Sequence, residues 1–374
     1  MNKKRFIAIF FIAVVLMSLT ACASEDVKSV SSKIRDLGTI TIDSKEKLMV
    51  IEKEYALLSD EDKQKVKNYD QFIEANKEYE KIVCLSDIQS TFLQICEAAC
   101  LEYKSYSEFE KNIVDTVEGA LTILKKYNKT EFADKNFKEE LNKYIKAMDS
   151  QKKSISYLYS DTDKYISLYY DNGLVKCANC IGTFKETYGL SLDEKTESFM
   201  TKITSEDVYI VIPLEKNIEV STENGDYEIT IFGAAETDWD KTGYEDDLKD
   251  DNETTYPASI RVLISNKSYS GIYEKEVCGY DLYQDNSLVV KDSNGYKLDY
   301  YDIAGPGDGV YKTSSQTAIG QKEKASFPFV IPNDEDNITI EIGDKYKVFI
   351  AVDRENVVSV FTNWQLNNLI ENKN

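Results

Sequence analysis

The cysteines have the clearest potential for chemistry, because the 374-residue sequence contains seven of them and no histidine. Cys177 and Cys180 have the Cys-x-x-Cys spacing of a redox pair or of half a zinc site. Cys96 and Cys100 are four residues apart, so both would project from the same face of a helix. If two such helices adjoin, these four thiols could form paired disulfides or a four-cysteine metal site. The simpler alternative is a set of small buried core residues.

An acidic segment near residue 245 is the second candidate site. Its start, Asp238-Trp239-Asp240 followed by Gly243, is similar to the beginning of an EF-hand calcium loop. The twelfth position of that loop, however, is Lys249, where a bidentate glutamate belongs. The segment is therefore either a solvated, self-repelling loop or a weak calcium site of the millimolar class found in extracellular modules. The carboxylates of that weak calcium site would be Asp238, Asp240, Glu245, Asp246 and Asp247.

Composition excludes several classes of function. Without histidine there is no Ser-His-Asp triad, no Cys-His pair and no two-histidine zinc helix. The formal net charge of −21 argues against a nucleic-acid binder, because phosphate contacts require clustered cations. The chain also has no phosphate-binding loop and no Gly-x-Gly-x-x-Gly fingerprint. Acidic residues are so numerous that no single carboxylate pair stands out as a glycosidase acid and nucleophile.

The N-terminus has the pattern of an export signal. Three cations at residues 3–5 precede an apolar run of twelve residues, Phe6–Met17. As a helix this run would span only about 18 Å, against about 30 Å for a hydrocarbon core, which favours a signal peptide over a membrane span. The following Leu19-Thr20-Ala21-Cys22 resembles the bacterial lipobox. That resemblance implies that residues 1–21 are removed and that Cys22 is lipid-modified; in the alternative, an ordinary signal peptide, Cys22 is incidental.

The region after Cys22 is predicted to be a short tether followed by helices. Residues 22–32 are polar and serine-rich, which predicts the tether. Asp43 with Glu46, and Ser59 with Asp62, have the spacing of helix N-caps and their capping partners. Residues 33–83 resemble a helical spacer module found in surface proteins of Gram-positive bacteria, which implies a structural role without chemistry. The motifs that carry this resemblance are Lys33-Ile34, Leu37-Gly38, Thr41-Ile42-Asp43-Ser44, Tyr55-Ala56-Leu57-Leu58-Ser59-Asp60-Glu61 and Val66-Lys67-Asn68-Tyr69.

Residues 84–204 continue the helical periodicity and predict a helical bundle. Asp171-Asn172-Gly173 is predicted to end a helix, because asparagine and glycine favour the left-handed conformation of helix ends. A set of tyrosines in this region could be a sugar-binding cluster, although aromatic residues at helical spacing more often pack in a core. These tyrosines are Tyr157, Tyr159, Tyr165, Tyr169 and Tyr170.

From about residue 208 the hydrophobic period changes from near 3.6 to near 2, which predicts a β-domain over residues 205–356 and leaves 357–374 as a tail. The seven predicted strand segments are Tyr209–Ile212, Tyr227–Ile231, Ile260–Ile264, Ser287–Lys291, Phe327–Ile331, Ile338–Ile342 and Tyr346–Val352. Turn signals such as Asn224-Gly225 separate the strands. The region resembles a telokin-like, immunoglobulin-like domain of unknown function, and the resemblance implies an antiparallel β-sandwich without catalytic residues. The resemblance rests on Gly225-Asp226-Tyr227-Glu228-Ile229-Thr230, Val262-Leu263-Ile264-Ser265-Asn266-Lys267-Ser268, Asp292-Ser293-Asn294-Gly295-Tyr296, Ile319-Gly320-Gln321-Lys322 and Phe327-Pro328-Phe329-Val330-Ile331-Pro332.

Together these patterns predict a multidomain α-then-β chain, with an N-terminal helical bundle and a C-terminal antiparallel immunoglobulin-like sandwich. The expected protein is a non-catalytic lipoprotein, held by lipid on Cys22 at the extracytoplasmic face of the cell membrane. It would present the sandwich to a protein or envelope partner. Two alternatives are an envelope hydrolase that works through acidic residues and a solute-binding lipoprotein. Against the latter, helices and strands segregate along the chain instead of alternating.

Overall fold

Helices fill the N-terminal part of the chain and strands the C-terminal part, as the change of period predicts. The computed structural model describes residues 24–205, 208–237, 254–270, 276–277, 279–300 and 317–358. Across these residues no helix combines the length and the apolar character needed to cross a bilayer. The helices are α1 (Glu25–Arg35), α2 (Lys45–Leu57), α3 (Asp60–Lys63), α4 (Tyr69–Cys100), α5 (Tyr106–Lys125), α6 (Lys135–Ser154), α7 (Thr162–Ile166), α8 (Lys176–Tyr188), α9 (Glu194–Thr204) and α10 (Gly279–Gln284).

Contacts between residues divide the chain into two compact units. The first unit comprises the residues up to Thr91 together with Thr122–Lys143 and Ile181–Ser191. The second comprises Phe92–Leu121, Tyr144–Cys180 and the residues from Leu192 onward. The second unit therefore contains helical segments in addition to the whole described sheet.

Helix α1 occupies much of the segment predicted to be a tether, so the structure differs from the prediction there. Val27, Val30 and Ile34 recur at helical spacing and are buried in the core of the first unit. The Ser24 hydroxyl accepts a hydrogen bond from the Val27 amide at 3.3 Å and caps the helix. The serines between the buried positions hid this apolar stripe, because they give the segment a polar composition. Helical structure thus begins immediately after Ser24.

The predicted helix caps are correct in one case and wrong in the other. The Ser59 hydroxyl accepts from the Asp62 amide at 3.2 Å and starts α3, as predicted. Asp43 does not cap α2. It lies inside a 3₁₀ turn, Ile42–Ser44, in which Thr41 and Ser44 cap each other reciprocally. The Ser44 hydroxyl accepts a hydrogen bond from the Thr41 amide at 2.9 Å, so the capping box begins at Thr41, two residues before the predicted cap.

Helix α7 continues through a π-helical segment, Ser167–Val175, into α8, so the predicted helix stop at Asp171-Asn172-Gly173 is wrong. The Asn172 side chain donates to the Ser167 carbonyl at 2.8 Å and so bonds within the wider turn. Gly173 serves close packing: a Cβ here would lie 2.9 Å from the Leu168 carbonyl oxygen and would collide with the side chain of Gln151. Asn172 and Gly173 are residue types that commonly end a helix, but in this segment the wider π-helical turns accommodate them.

The strands form one eight-stranded sheet, in the order β6-β9-β10-β3-β4-β8, and a two-stranded pair, β5 with β7. Off the main path, β1 pairs with β10 and β2 pairs with β3. The strands are β1 (Ile210–Val211), β2 (Asn217–Thr222), β3 (Gly225–Thr237), β4 (Thr255–Asn266), β5 (Glu276–Val277), β6 (Leu288–Lys291), β7 (Thr317–Ala318), β8 (Lys322–Pro332), β9 (Asn337–Ile342) and β10 (Tyr346–Val358).

The prediction of a purely antiparallel sheet is wrong, because β10 runs parallel to both β1 and β3. Tight turns determine direction only between strands that follow each other in the chain, such as β9 and β10. Strands far apart in sequence carry no such signal. The two ends of β10 also have different neighbours: residues 346–351 pair with β9, and Val352 onward pairs with β3. The sheet is therefore mixed.

Helices of the second unit pack against β10 through aromatic rings. The ring of Phe349 lies 5.4 Å from Tyr106, 6.2 Å from Tyr103 and 6.4 Å from Phe109 between ring centroids. The Tyr106 hydroxyl also donates to the Ile212 carbonyl at 2.7 Å, just beyond β1. We call Tyr103, Tyr106, Phe109 and Phe349 the aromatic junction. It covers one face of β10, while Val348, Ile350 and Val352 are buried on the other face.

Replacing the central ring of the aromatic junction tests its contribution. Phe349→Ala should lower the free energy of unfolding by about 3–5 kcal/mol, because it opens a cavity among three other rings. Urea unfolding followed by circular dichroism measures the loss. The matched control is Tyr296→Ala, since Tyr296 is 73% exposed and should cost about 0.5 kcal/mol or less. Equal losses in the two variants would contradict the packing described here.

Candidate functional site

The only buried lysine of the described residues lies on β10, two residues before Phe349 and on the same face. Lys347 is 6% exposed, and its Nζ lies 2.8 Å from Glu102 and 3.4 Å from Glu341. Glu341, on β9, is the cross-strand partner of Lys347 and is also paired with Lys291 at 2.7 Å. In this set each lysine contacts at least one carboxylate. We call Lys347, Glu102, Glu341 and Lys291 the charge network.

The charge network is stabilised by its position within the fold. Burying an ammonium group without a partner costs several kcal/mol, so Lys347 requires the carboxylates at its tip. The Tyr209 ring adds a cation–π contact, with its centroid 5.3 Å from the Lys347 Nζ. Burial, together with the charge of Glu341, raises the pKa of the Tyr209 hydroxyl above its ordinary value. The network therefore joins the loop after α4 to the sheet and has the character of a structural ion cluster.

The structure places the predicted cysteines in the second unit, with three of them buried. Cys96, Cys177 and Cys180 are buried and Cys100 is exposed, and each of the four is a thiol that is not part of a disulfide. Burial raises the pKa of the Cys177 thiol well above its ordinary value, and the neighbouring Cys180 and Cys96 thiols raise it further. Burial also raises the pKa of Cys96. Thiols of this kind stay protonated at neutral pH, whereas nucleophiles and metal ligands are thiolates.

The buried thiols pack beside the π-helical segment. The Gln151 side chain donates to the Cys177 Sγ at 3.5 Å, and Gln151 is the residue that Gly173 leaves room for. Within the described ranges there is no group of three or more Cys, Asp or Glu side chains placed to hold a metal ion. The arrangement of Cys96, Cys177 and Cys180 is thus the one in which cysteine serves as a small apolar core residue.

The tyrosine set predicted from the helical region divides into core and surface residues. Tyr165 and Tyr169 are buried and stack with their centroids 5.5 Å apart, and Tyr170 is buried and donates to the Ile203 carbonyl. Tyr159 is exposed, and its hydroxyl lies 2.5 Å from a Glu110 carboxylate oxygen. Tyr157 is half-buried, with the Lys164 ammonium over its ring. Three of the five tyrosines are thus core residues, as the helical spacing favoured.

Several predicted site residues lie outside the described part of the chain. They include the lipid-attachment residue Cys22 and the signal peptide, residues 1–21. The carboxylates of the weak calcium site lie there as well: Asp238, Asp240, Glu245, Asp246 and Asp247.

Sequence reasoning missed the charge network. Its signal was Lys347, which directly precedes the apolar strand segment Val348-Phe349-Ile350-Ala351-Val352. A lysine in a strand is ordinarily found at a sheet edge, where it is solvated. Glu341 gives the same signal at the end of the Asn337–Ile342 strand. A charged residue inside an apolar strand predicts either an exposed face or a buried ion pair, and the structure shows the buried pair.

Comparison with known proteins gives little further information. No family model matches the chain. No curated protein matches it either. Among solved structures, a Bacillus subtilis strain 168 protein (ycdA), provisionally described as a lipoprotein, aligns with 11% identity over 38% of this chain and a TM-score of 0.22. The chain spans 39% of that structure. Likeness at this level assigns neither fold nor function.

A double-mutant cycle tests the charge network. Glu341→Leu should lower the free energy of unfolding by about 3 kcal/mol, because it leaves the buried Lys347 with one carboxylate fewer. The double variant Glu341→Leu/Lys347→Met should lie within about 1 kcal/mol of the parent, since it removes the buried charge as well. Denaturant unfolding of the four chains gives the cycle. The two single variants are Glu341→Leu and Lys347→Met. If their losses of unfolding free energy simply added up in the double variant, the buried pair would be contradicted.

Accessibility of the thiols is tested by alkylation of the native chain. With iodoacetamide at pH 8, Cys100 should react first, whereas Cys96 and Cys177 should react only after unfolding, because they are buried and protonated. Peptide mass spectrometry reports each site. Unfolding without reductant should expose all of these thiols to the reagent. A Cys177 that reacts as fast as Cys100, or a thiol that becomes reactive only after reduction, would contradict the free buried state.

Proposed function

We propose that this protein is a non-catalytic lipoprotein, anchored through lipid on Cys22 at the extracytoplasmic face of a cell membrane. In this proposal its immunoglobulin-like C-terminal region binds a protein or envelope partner. The observation that carries the proposal is the order of the N-terminal sequence: three cations, twelve apolar residues and the box Leu19-Thr20-Ala21-Cys22. One acyl chain holds a protein only marginally on a bilayer, whereas two or more hold it stably.

The position of α1 adds detail to the anchoring. Helix α1 is capped by Ser24, two residues after Cys22, and two residues reach at most about 7 Å. The burial of Val27 and Val30 fixes this helix in the first unit. A lipid on Cys22 would therefore hold the first unit close to the bilayer, without a long flexible tether.

Three carboxyl groups of the described residues lie in environments that do not suit a general acid. A glycosidase requires a general acid whose pKa is raised, and burial away from partners is the usual cause. The carboxyls of Asp193 and Glu228 have a pKa below the ordinary value instead: Asp193 accepts hydrogen bonds from Thr196, and Glu228 pairs with Lys267. Hydrogen bonds from Asn356 likewise lower the pKa of the Asp353 carboxyl. Groups in these environments remain charged anions at neutral pH.

The proposed immunoglobulin-like character rests on the strands. Each of the seven predicted strand segments overlaps an observed strand, and turns join the antiparallel pairs β2–β3 and β9–β10. The division of β10 between β9 and β3 resembles the way in which strands pass from one sheet to the other at sandwich corners. A sandwich of this kind displays its loops at two ends, where binding surfaces commonly form.

Lipid anchoring is tested by replacing the acceptor thiol. In bacteria grown with a radiolabelled fatty acid, the parent chain should carry label and fractionate with membranes. The Cys22→Ser variant should carry no label and should remain unprocessed or be released, because a hydroxyl cannot form the thioether. Cys100→Ser is the matched control, since it removes an exposed thiol and should retain both label and location. Label persisting on Cys22→Ser would refute the anchoring.

Partner binding is tested separately. The chain from Ala23 to Asn374, immobilised and exposed to envelope extracts, should retain a component that excess free chain displaces. An unrelated protein of similar acidic charge serves as the control for non-specific adsorption. Retention that free chain does not reduce, or that the acidic control matches, would contradict a specific partner.

A further inference from the structure

Helix α2 has two apolar faces, of which only one is covered. Leu48 and Ile51 are buried in the core of the first unit. At 100° per residue, Met49, Val50 and Leu57 point to the opposite side, and they are 57%, 46% and 79% exposed. Ile42, in the 3₁₀ turn just before α2, lies on the same side and is 49% exposed. We call these four residues the outer stripe; it is about 22 Å long.

Two opposite charges lie along the centre of the outer stripe. Glu46 and Lys53 fall between its apolar residues, and both are exposed. In the part of the chain that the structure describes, no ion pair involves either of them, although Lys33 and Glu54 pair nearby. The stripe is thus an apolar surface with one unpaired anion in its first half and one unpaired cation in its second half.

The residues of the outer stripe are arranged symmetrically about the midpoint between Met49 and Val50. Ile42 and Leu57 are equally far from that midpoint, and so are Glu46 and Lys53. The flanking charges obey the same rule. Lys47 corresponds to Glu52, and Lys45 corresponds to Glu54, so every charge of α2 itself has an opposite charge at the equivalent place on its other half. Asp43, in the turn before α2, is outside this rule, because its equivalent place is Ala56.

We propose that the outer stripe is the contact surface for a second copy of this chain. Two α2 helices related by a two-fold axis would run antiparallel and cross between Met49 and Val50. Apolar residues would then face apolar residues, with Ile42 against the partner's Leu57. Glu46 would face the partner's Lys53, and the two-fold axis forms that pair twice.

A groove beside the outer stripe has room for a side chain of the second copy. Its volume is about 390 Å³, and it is lined by the apolar residues Leu37, Val50 and Ile51 together with the charged residues Lys33, Asp36, Glu46 and Lys47. In the antiparallel pair, Met49 of the second copy lies opposite Val50. Methionine is flexible and polarisable, which suits it to filling an irregular groove of this kind.

The second copy explains the charge pattern better than other occupants do. A lipid surface would have to bury Glu46 and Lys53 without partners, which is costly. A different protein would have no reason to require opposite charges at symmetric positions within this helix. The contact is small, since a single pair of short helices buries less than the roughly 1,200 Å² of a stable specific interface. The predicted association is therefore weak and reversible.

The test uses charge reversal in the chain from Ala23 to Asn374, which holds every residue that the structure describes, followed by sedimentation velocity over a concentration series. The parent should self-associate, and Glu46→Lys should weaken the association about tenfold or more, because each two-fold pair becomes repulsive. Lys53→Glu should weaken it equally. An equimolar mixture of the two single variants should restore the parental affinity to within about threefold, since every facing pair is again opposite in charge.

Two further variants complete the experiment. The double variant Glu46→Lys/Lys53→Glu should associate like the parent, because reversal of both charges restores the facing pairs. Glu139→Lys, which reverses an exposed acid on α6, should leave association unchanged. A parent that is monomeric throughout the series, or association that survives the single reversals, would overturn the proposal. Failure of the mixture to recover association would also overturn it, because the two-fold antiparallel geometry requires that recovery.

Discussion

A buried ammonium group on β10 constrains how the second unit can be organised. Lys347 is 6% exposed, so its charge must be met inside the protein, and Glu341 and Glu102 supply the carboxylates. Glu341 comes from the next strand, whereas Glu102 comes from the loop between α4 and α5. Because Glu341 also pairs with Lys291, the charge of Lys347 is fully compensated only when the loop that carries Glu102 lies against the sheet. Phe349, on the same face of the strand, contributes the apolar part of the same contact.

Because the charge network is buried, the alternating pattern in β9 and β10 does not mark a solvated face of the sheet. Thr339, Glu341 and Lys347 alternate with apolar residues, which ordinarily indicates one buried and one solvated face. All three are buried, because the outward face of this part of the sheet is covered within the second unit. The sheet thus does not form a compact unit by itself. Helical residues 92–121 and 144–180 belong to the same compact unit as the strands.

The sequence was most informative where local physics decides the structure. The seven predicted strands and the turn at Asn224-Gly225 are present, since alternation and turn chemistry are local properties. Strand β2 was missed although Ile218 and Val220 alternate correctly, because charged and polar neighbours dilute its apolar signal. The parallel partners of β10 and the charge network were out of reach, because they join residues far apart in the chain. The buried cysteines could be proposed as core residues, but their burial depends on tertiary packing around Gln151.

We expect the helices and the sheet of the second unit to open together. Native-state hydrogen exchange, followed by peptide mass spectrometry at increasing denaturant, measures this directly. Peptides from α5 and from β10 should converge on one opening free energy, and Phe349→Ala should lower both by the same amount. If the sheet peptides opened at their own free energy while α5 kept that of the parent, the helices and the sheet would be independent, which would contradict the central claim.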